Sequence, residues 1–153
     1  MMLSHIRYAL VLLALIPILL LSGCAGTTAR PDYLAQKLEA ESAYHAGQYA
    51  RAADLYRSLA DAIPQEPDYP FKLGNAEARQ NRLDQAADAY LRTLTLFPQH
   101  AKAWFNLGLI RLYQARVALQ QSQRYFGADQ TQQKAVSTLI TGIDALPPMQ
   151  QHP

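Results

Sequence analysis

From Leu34 onward the apolar residues fall at three- and four-residue spacing, in segments cut by proline, glycine or asparagine. The pattern predicts helices. A first, over Tyr33 to about His45, has Asp32 as its N-cap and Leu34, Leu38 and Ala40 to Ala43 at helical spacing, and Gly47 stops it. A second, Tyr49 to about Ala62, carries Ala52, Ala53, Leu55, Tyr56 and Leu59 as its buried stripe, and Pro64 and Pro67 bar its continuation. Asp68 is the expected cap of a third, with Pro70 in the first turn, where a missing N–H costs nothing, then Phe71, Leu73, Gly74 and Ala78. Asn81 takes the turn that Gly47 took before, since both residues reach the left-handed conformation that closes a helix. Leu83 to about Leu96 is the fourth helix, and Pro98 ends it.

These four segments are two copies of one hairpin. Ala52-Ala53-Asp54-x-Tyr56 returns as Ala86-Ala87-Asp88-x-Tyr90, and Ile63-Pro64-Gln65 as Phe97-Pro98-Gln99, at one and the same offset. A fixed period of about 34 residues in a helical pattern predicts an all-α helix-turn-helix solenoid, whose units stack because none can bury its apolar face alone. A third unit opens with Trp104-Phe105-Asn106-Leu107-Gly108, and Ala40, Gly74 and Gly108 recur at that same period. Each of these small residues lets a facing helix come close. The third unit then departs, because Gln120 and Arg124 stand where a small residue and an aromatic are due. Counted back from Pro147, those places fall to Ala135 and Leu139, with Gly142 following, a frame displaced by close to four helical turns. The first helix of this unit is therefore expected to run on from about Ala101 to about Phe126. Gly127-Ala128-Asp129 makes the turn, Asp129 caps with Gln132 in the reciprocal position, and a last helix covers about Gln130 to Leu146. The units are then residues 32–66, 67–100 and 101–146, with a tail at 147–153.

The Leu-Gly pairs, the small residue, the aromatic and the closing proline at these offsets resemble the tetratricopeptide repeat over most of the chain after its N-terminal segment. The resemblance implies that the first helices of successive units line one concave groove. Its positions here are Leu34, Lys37, Glu41, Tyr44 and His45, then Asp68, Phe71, Asn75, Ala78 and Arg79, then Lys102, Phe105, Leu109, Leu112 and Tyr113. Such a lining suits an extended or helical peptide, with aromatics as anchors, Asn75 for backbone hydrogen bonds and charges for register. The competing reading is that several of them pack against the long third-unit helix. Some family members clamp a C-terminal carboxylate with lysines and asparagines. Lys37 and Lys102 match that set, but Glu41 and Asn106 replace an asparagine and an arginine, so that ligand is not expected. Tyr44, Tyr56, Tyr90 and Trp104 read first as core, and Arg111, Arg116 and Arg124 as a solvated face.

The N-terminus has its own grammar. A short polar segment with His5 and Arg7 precedes the apolar run Ala9 to Leu21, in the order of a secretory signal over residues 1–23. That run, about 13 residues long and containing Pro17, is shorter than the roughly 20 residues a membrane-spanning helix needs. It ends in Leu21-Ser22-Gly23-Cys24, which resembles the bacterial lipobox and implies lipidation at Cys24, the single cysteine of the chain. Several acyl chains at one residue give lasting membrane affinity, since each buried methylene contributes roughly 0.8 kcal/mol. Ala25 and Gly26 follow in place of a retention aspartate, so by the same resemblance the outer membrane is expected, with the domain facing the periplasm on a tether over residues 24–31.

Charge and chemistry narrow the function. Removal of residues 1–23 takes Arg7 from the 14 basic side chains and leaves 13 against 12 acidic ones, a balance that gives no reason to expect nucleic acid. His45, His100 and His152 lack metal-ligand spacing, Glu39 and Glu41 point to different helix faces, and there is no phosphate loop or serine elbow. No enzyme, cofactor or metal is expected. What remains is an adaptor holding a protein or peptide partner in the cell envelope, within pilus assembly, secretion or polysaccharide export. The alternative is an adaptor that regulates a peptidoglycan synthase or hydrolase. With about three units the stack is near the minimum for stability, which leaves self-association through an exposed end open.

Overall fold

The computed structural model describes residues 32–146, and every described element is a helix. The signal segment, Cys24, the tether and the tail lie outside the described residues. In chain order the helices are α1 (Tyr33–His45), α2 (Tyr49–Ala62), α3 (Asp68–Arg79), α4 (Leu83–Leu96), α5 (Ala101–Gln123) and α6 (Gln130–Asp144). Each packs chiefly on the next, as a solenoid requires.

Local chemistry sets the ends. Asp32 Oδ1 accepts from the Ala35 amide at 3.0 Å and starts α1. Asp129 does the same for α6, accepting from the Thr131 and Gln132 amides at 3.1 Å. The start of α3 differs from expectation. Pro67 is the cap and Asp68 is already helical, with its backbone amide bonded to Glu66 Oε1 at 3.2 Å. Gly47 and Asn81 close the two hairpins in the left-handed region, at φ 74° and 58°. Gly127, at φ 53°, makes the corresponding corner after α5.

Two apolar clusters form the core. One joins Ala40, Ala52, Ala53, Tyr56, Leu59 and Leu73 across α1, α2 and α3. The other joins Phe71, Ala86, Tyr90, Leu94, Ala103, Leu107 and Ile110 across α3, α4 and α5. The alanines and Gly74 are what allow this, because large tyrosine rings then fit between helices. An added Cβ at Gly74 would stand 2.6 Å from Tyr90 Cε1. A buried carboxylate ties the units together as well. Glu77, only 1% exposed, bonds to Arg57 of α2 and, at 3.4 Å, to Arg82 at the head of α4.

The third unit is built differently. α5 is one uninterrupted helix of 23 residues, against 12 in α3. α6 turns back onto its far half, where Arg116 pairs with Asp144 and Gln123 Nε2 donates to Ser137 Oγ at 3.2 Å. Val136 is the buried side chain that α6 contributes. Trp104, expected in the core with Tyr56 and Tyr90, is instead 55% exposed, its indole N–H donating to the Pro98 carbonyl at 2.8 Å. The cause is the position of α6. A second helix returning along the near half of α5 would cover that ring, and α6 returns along the far half.

Candidate functional site

Residues of α1, α2 and α3 enclose a cavity of about 250 Å³ lined by Glu41, Tyr44, His45, Tyr56, Lys72 and Asn75. Four of these are groove residues expected from the sequence. Lys72 and Tyr56 are additions that the groove positions alone did not show. Lys72 Nζ lies 3.7 Å from Glu41 Oε1, so a cation and an anion from α3 and α1 face each other at the rim. Glu41, which weakens the match to a carboxylate clamp, is thus tied to a neighbouring lysine.

Asn75 sits at the floor, 3% exposed. Its Oδ1 accepts from the Tyr90 hydroxyl at 2.9 Å and from Asn106 Nδ2 at 3.0 Å. Three helices therefore fix one amide, and a buried polar network satisfied in this way holds its geometry firmly. Asn106, noted in the sequence within the opening motif of the third unit and as a departure from a clamp, is the residue that carries this network across to α5. Burial pushes the Tyr90 phenol well above its ordinary range, with the Asn106 bond acting weakly the other way. Tyr56 is displaced upward for the same main reason, burial, reinforced by Glu41. Both phenols stay neutral hydrogen-bonding groups at any physiological pH.

At one side Tyr44 packs edge-on against Tyr49, with ring centroids 5.3 Å apart, and the Arg79 guanidinium stands 5.5 Å from the Tyr49 ring centre. The Arg79 bond to the Tyr44 hydroxyl partly offsets the upward push of burial on that phenol. Tyr44 is thus brought together with Arg79, and the His45 ring lies edge-on to Tyr44 with centroids 6.2 Å apart. Phe71 is not available to a ligand. It is buried, 6.0 Å from the Tyr90 ring and 4.5 Å from His100, and belongs to the second core cluster. Its place one residue after Pro70 turns it inward, which the repeat frame alone did not reveal.

On α5, beside Asn106, Lys102, Phe105, Leu109, Leu112 and Tyr113 follow at helical spacing on one side. Phe105 and Leu112 are exposed, and Leu109 and Tyr113 are half-buried. Lys37, on α1, is half-buried. The site therefore offers a polar, charge-paired pocket at one end and an apolar strip at the other. Among the described residues no group of three His, Cys, Asp or Glu side chains is placed to hold a metal ion, and no helix is long and apolar enough to cross a membrane.

The comparisons agree with this architecture. Residues 25–67 and 71–123 match the family model described as the tetratricopeptide repeat. The TPR domain of Sgt2 from Aspergillus fumigatus superposes with a TM-score of 0.51 at 22% identity, covering 86% of this chain and 95% of that one, a likeness of fold. Protein O-mannosyl-transferase TMTC1 of Mus musculus is 34% identical over 76 residues, or 46% of this chain. The chain spans 8% of that relative's length, and the match lies in a repeat stretch. Repeats of this kind are protein-interaction scaffolds that hold protein or peptide partners and ordinarily carry no catalysis. With more than half its length covered by the family model, the chain belongs to the tetratricopeptide repeat family.

Proposed function

We propose that this chain is a lipid-anchored scaffold of the bacterial cell envelope, attached through Cys24 to the outer membrane and facing the periplasm, where its groove holds a segment of a protein partner in an assembly machine for pili, secretion or polysaccharide export. The observation that carries the binding reading is Asn75. Its carbonyl end is fixed from two sides, so its NH2 end is what it offers at the cavity floor. A rigid donor beside the Glu41–Lys72 pair suits a peptide carbonyl, and Phe105, Leu109 and Leu112 suit the apolar side chains that follow. The anchor reading rests on Leu21-Ser22-Gly23-Cys24 and on Ala25-Gly26 after it.

The test is affinity capture from solubilised envelopes with the wild type and a Tyr44→Ala/Phe105→Ala variant. Wild type should retrieve an envelope protein, and the variant should lose it by roughly tenfold or more if the two rings are anchors. Equal retrieval by both would overturn the groove reading. Cys24→Ala should move the chain from the membrane to the soluble fraction, and a variant still sedimenting with membranes would overturn the lipid anchor.

A further inference from the structure

The face of α5 that should meet a second helix is bare. In the second unit the corresponding face is filled, because Gly74 receives the Tyr90 ring at contact distance. At Gly108, its equivalent one period on, an added Cβ would meet nothing within 4 Å. Trp104 and Ala115, on the same stripe, are exposed, and Arg111 between them bonds to Gln114 of its own helix.

α6 has the opposite surplus. Val136 faces its own α5, while Ala135, Leu139 and Gly142 form a second apolar stripe that is exposed, Leu139 by 55%. Ala135 and Leu139 are the residues that the repeat grammar places opposite a Gly108-type notch. They cannot reach Gly108 within one molecule, because the prolonged α5 carries α6 about four helical turns too far along. α6 itself is 15 residues long, also about four turns, so the seat left open is one α6 in length.

We propose that this seat receives α6 of a second copy of the chain. Run antiparallel, Leu139 enters the notch at Gly108, and the open Gly142 receives the exposed Trp104 ring, so large meets small at both contacts. The arrangement is directional. The donor's α6 sits on the acceptor's α5, whose own α6 remains free, so the contact is head-to-tail and adds copies without closing on a two-fold axis. It lies apart from the Asn75 cavity and does not depend on the groove reading.

The test is sedimentation equilibrium of the full-length chain in density-matched detergent, kept in large micellar excess. Wild type should gain mass with concentration beyond two copies. Leu139→Asp, which spoils the donor, and Gly108→Gln, which fills the acceptor, should each stay single at the same concentrations, an association weakened roughly tenfold or more. An equimolar mixture of the two variants keeps one intact donor and one intact acceptor, and it should form pairs and nothing larger. Both substitutions sit at open positions, so unchanged helical circular dichroism accompanies the expected result. Glu41→Gln, in the groove, should associate like wild type. A wild type that stays single, a variant that associates alone, a mixture that fails to pair, or loss of association in Glu41→Gln would each overturn the proposal.

Discussion

The second and third units begin with the same motif and end as different structures. Both place Leu-Gly on their first helix, and both glycines are helical. At Gly74 the missing side chain is filled by a buried tyrosine, whereas at Gly108 it is filled by nothing. The difference shows that a repeat signature specifies a contact only when the partner helix returns in register. A local motif fixes the helix, and the length of the connection fixes what it touches.

The largest expected contrast concerns charge. Arg57→Ala with Arg82→Ala leaves the Glu77 carboxylate buried and alone, and should cost about 3–5 kcal/mol in chemical unfolding. The matching change in the third unit, Arg116→Ala, removes a solvent-facing pair with Asp144 and should barely move the transition. Next come the glycines. Gly74→Ala forces the Tyr90 ring to shift and should destabilise by about 1–3 kcal/mol, while Gly108→Ala should stabilise by about 0.5–1 kcal/mol. Opposite signs at matching positions would sharpen the comparison, and equal signs would break it.

Tyr90→Phe removes one donor from Asn75 and an acceptor from Asn106 of α5, and should cost about 0.5–1.5 kcal/mol in chemical unfolding. The smallest effect is on pH dependence. Tyr56 and Tyr90 hold their protons more tightly folded than unfolded, so stability is complete below the ordinary phenol value of 10.0 and falls as pH rises above it. Tyr56→Phe should flatten that alkaline loss in thermal melts at about pH 10 and above.

Most of the fold could be read from the chain because the repeat wrote it twice. Gly47, Asn81, Pro64 and Pro98 punctuate the helices, and punctuation of this kind acts over a few residues only. Trp104 escaped that reading because its burial depends on α6, a helix far along the chain whose register is set by the length of α5. Phe71 escaped for a smaller reason, a one-residue displacement beside Pro70 that turns a groove position into core. Lys72 was hidden because its importance comes from facing Glu41 across two helices, and nothing in either helix alone announces the pair. Half of the site was therefore visible as positions, while the network through Asn75, Tyr90 and Asn106 needed coordinates.

The length of α5 has a mechanical corollary. At 1.5 Å per residue it measures about 34 Å, against about 18 Å for α3, and its base is clamped by Leu107 and Ile110 while its far half meets α6 and touches α4 through the Gln114–Asp84 hydrogen bond. A beam clamped at one end multiplies small rotations. A tilt of roughly 10° where α5 meets α4 carries the Gly127 corner about 5 Å, a displacement that a load on the groove and a load on the tip would feel together.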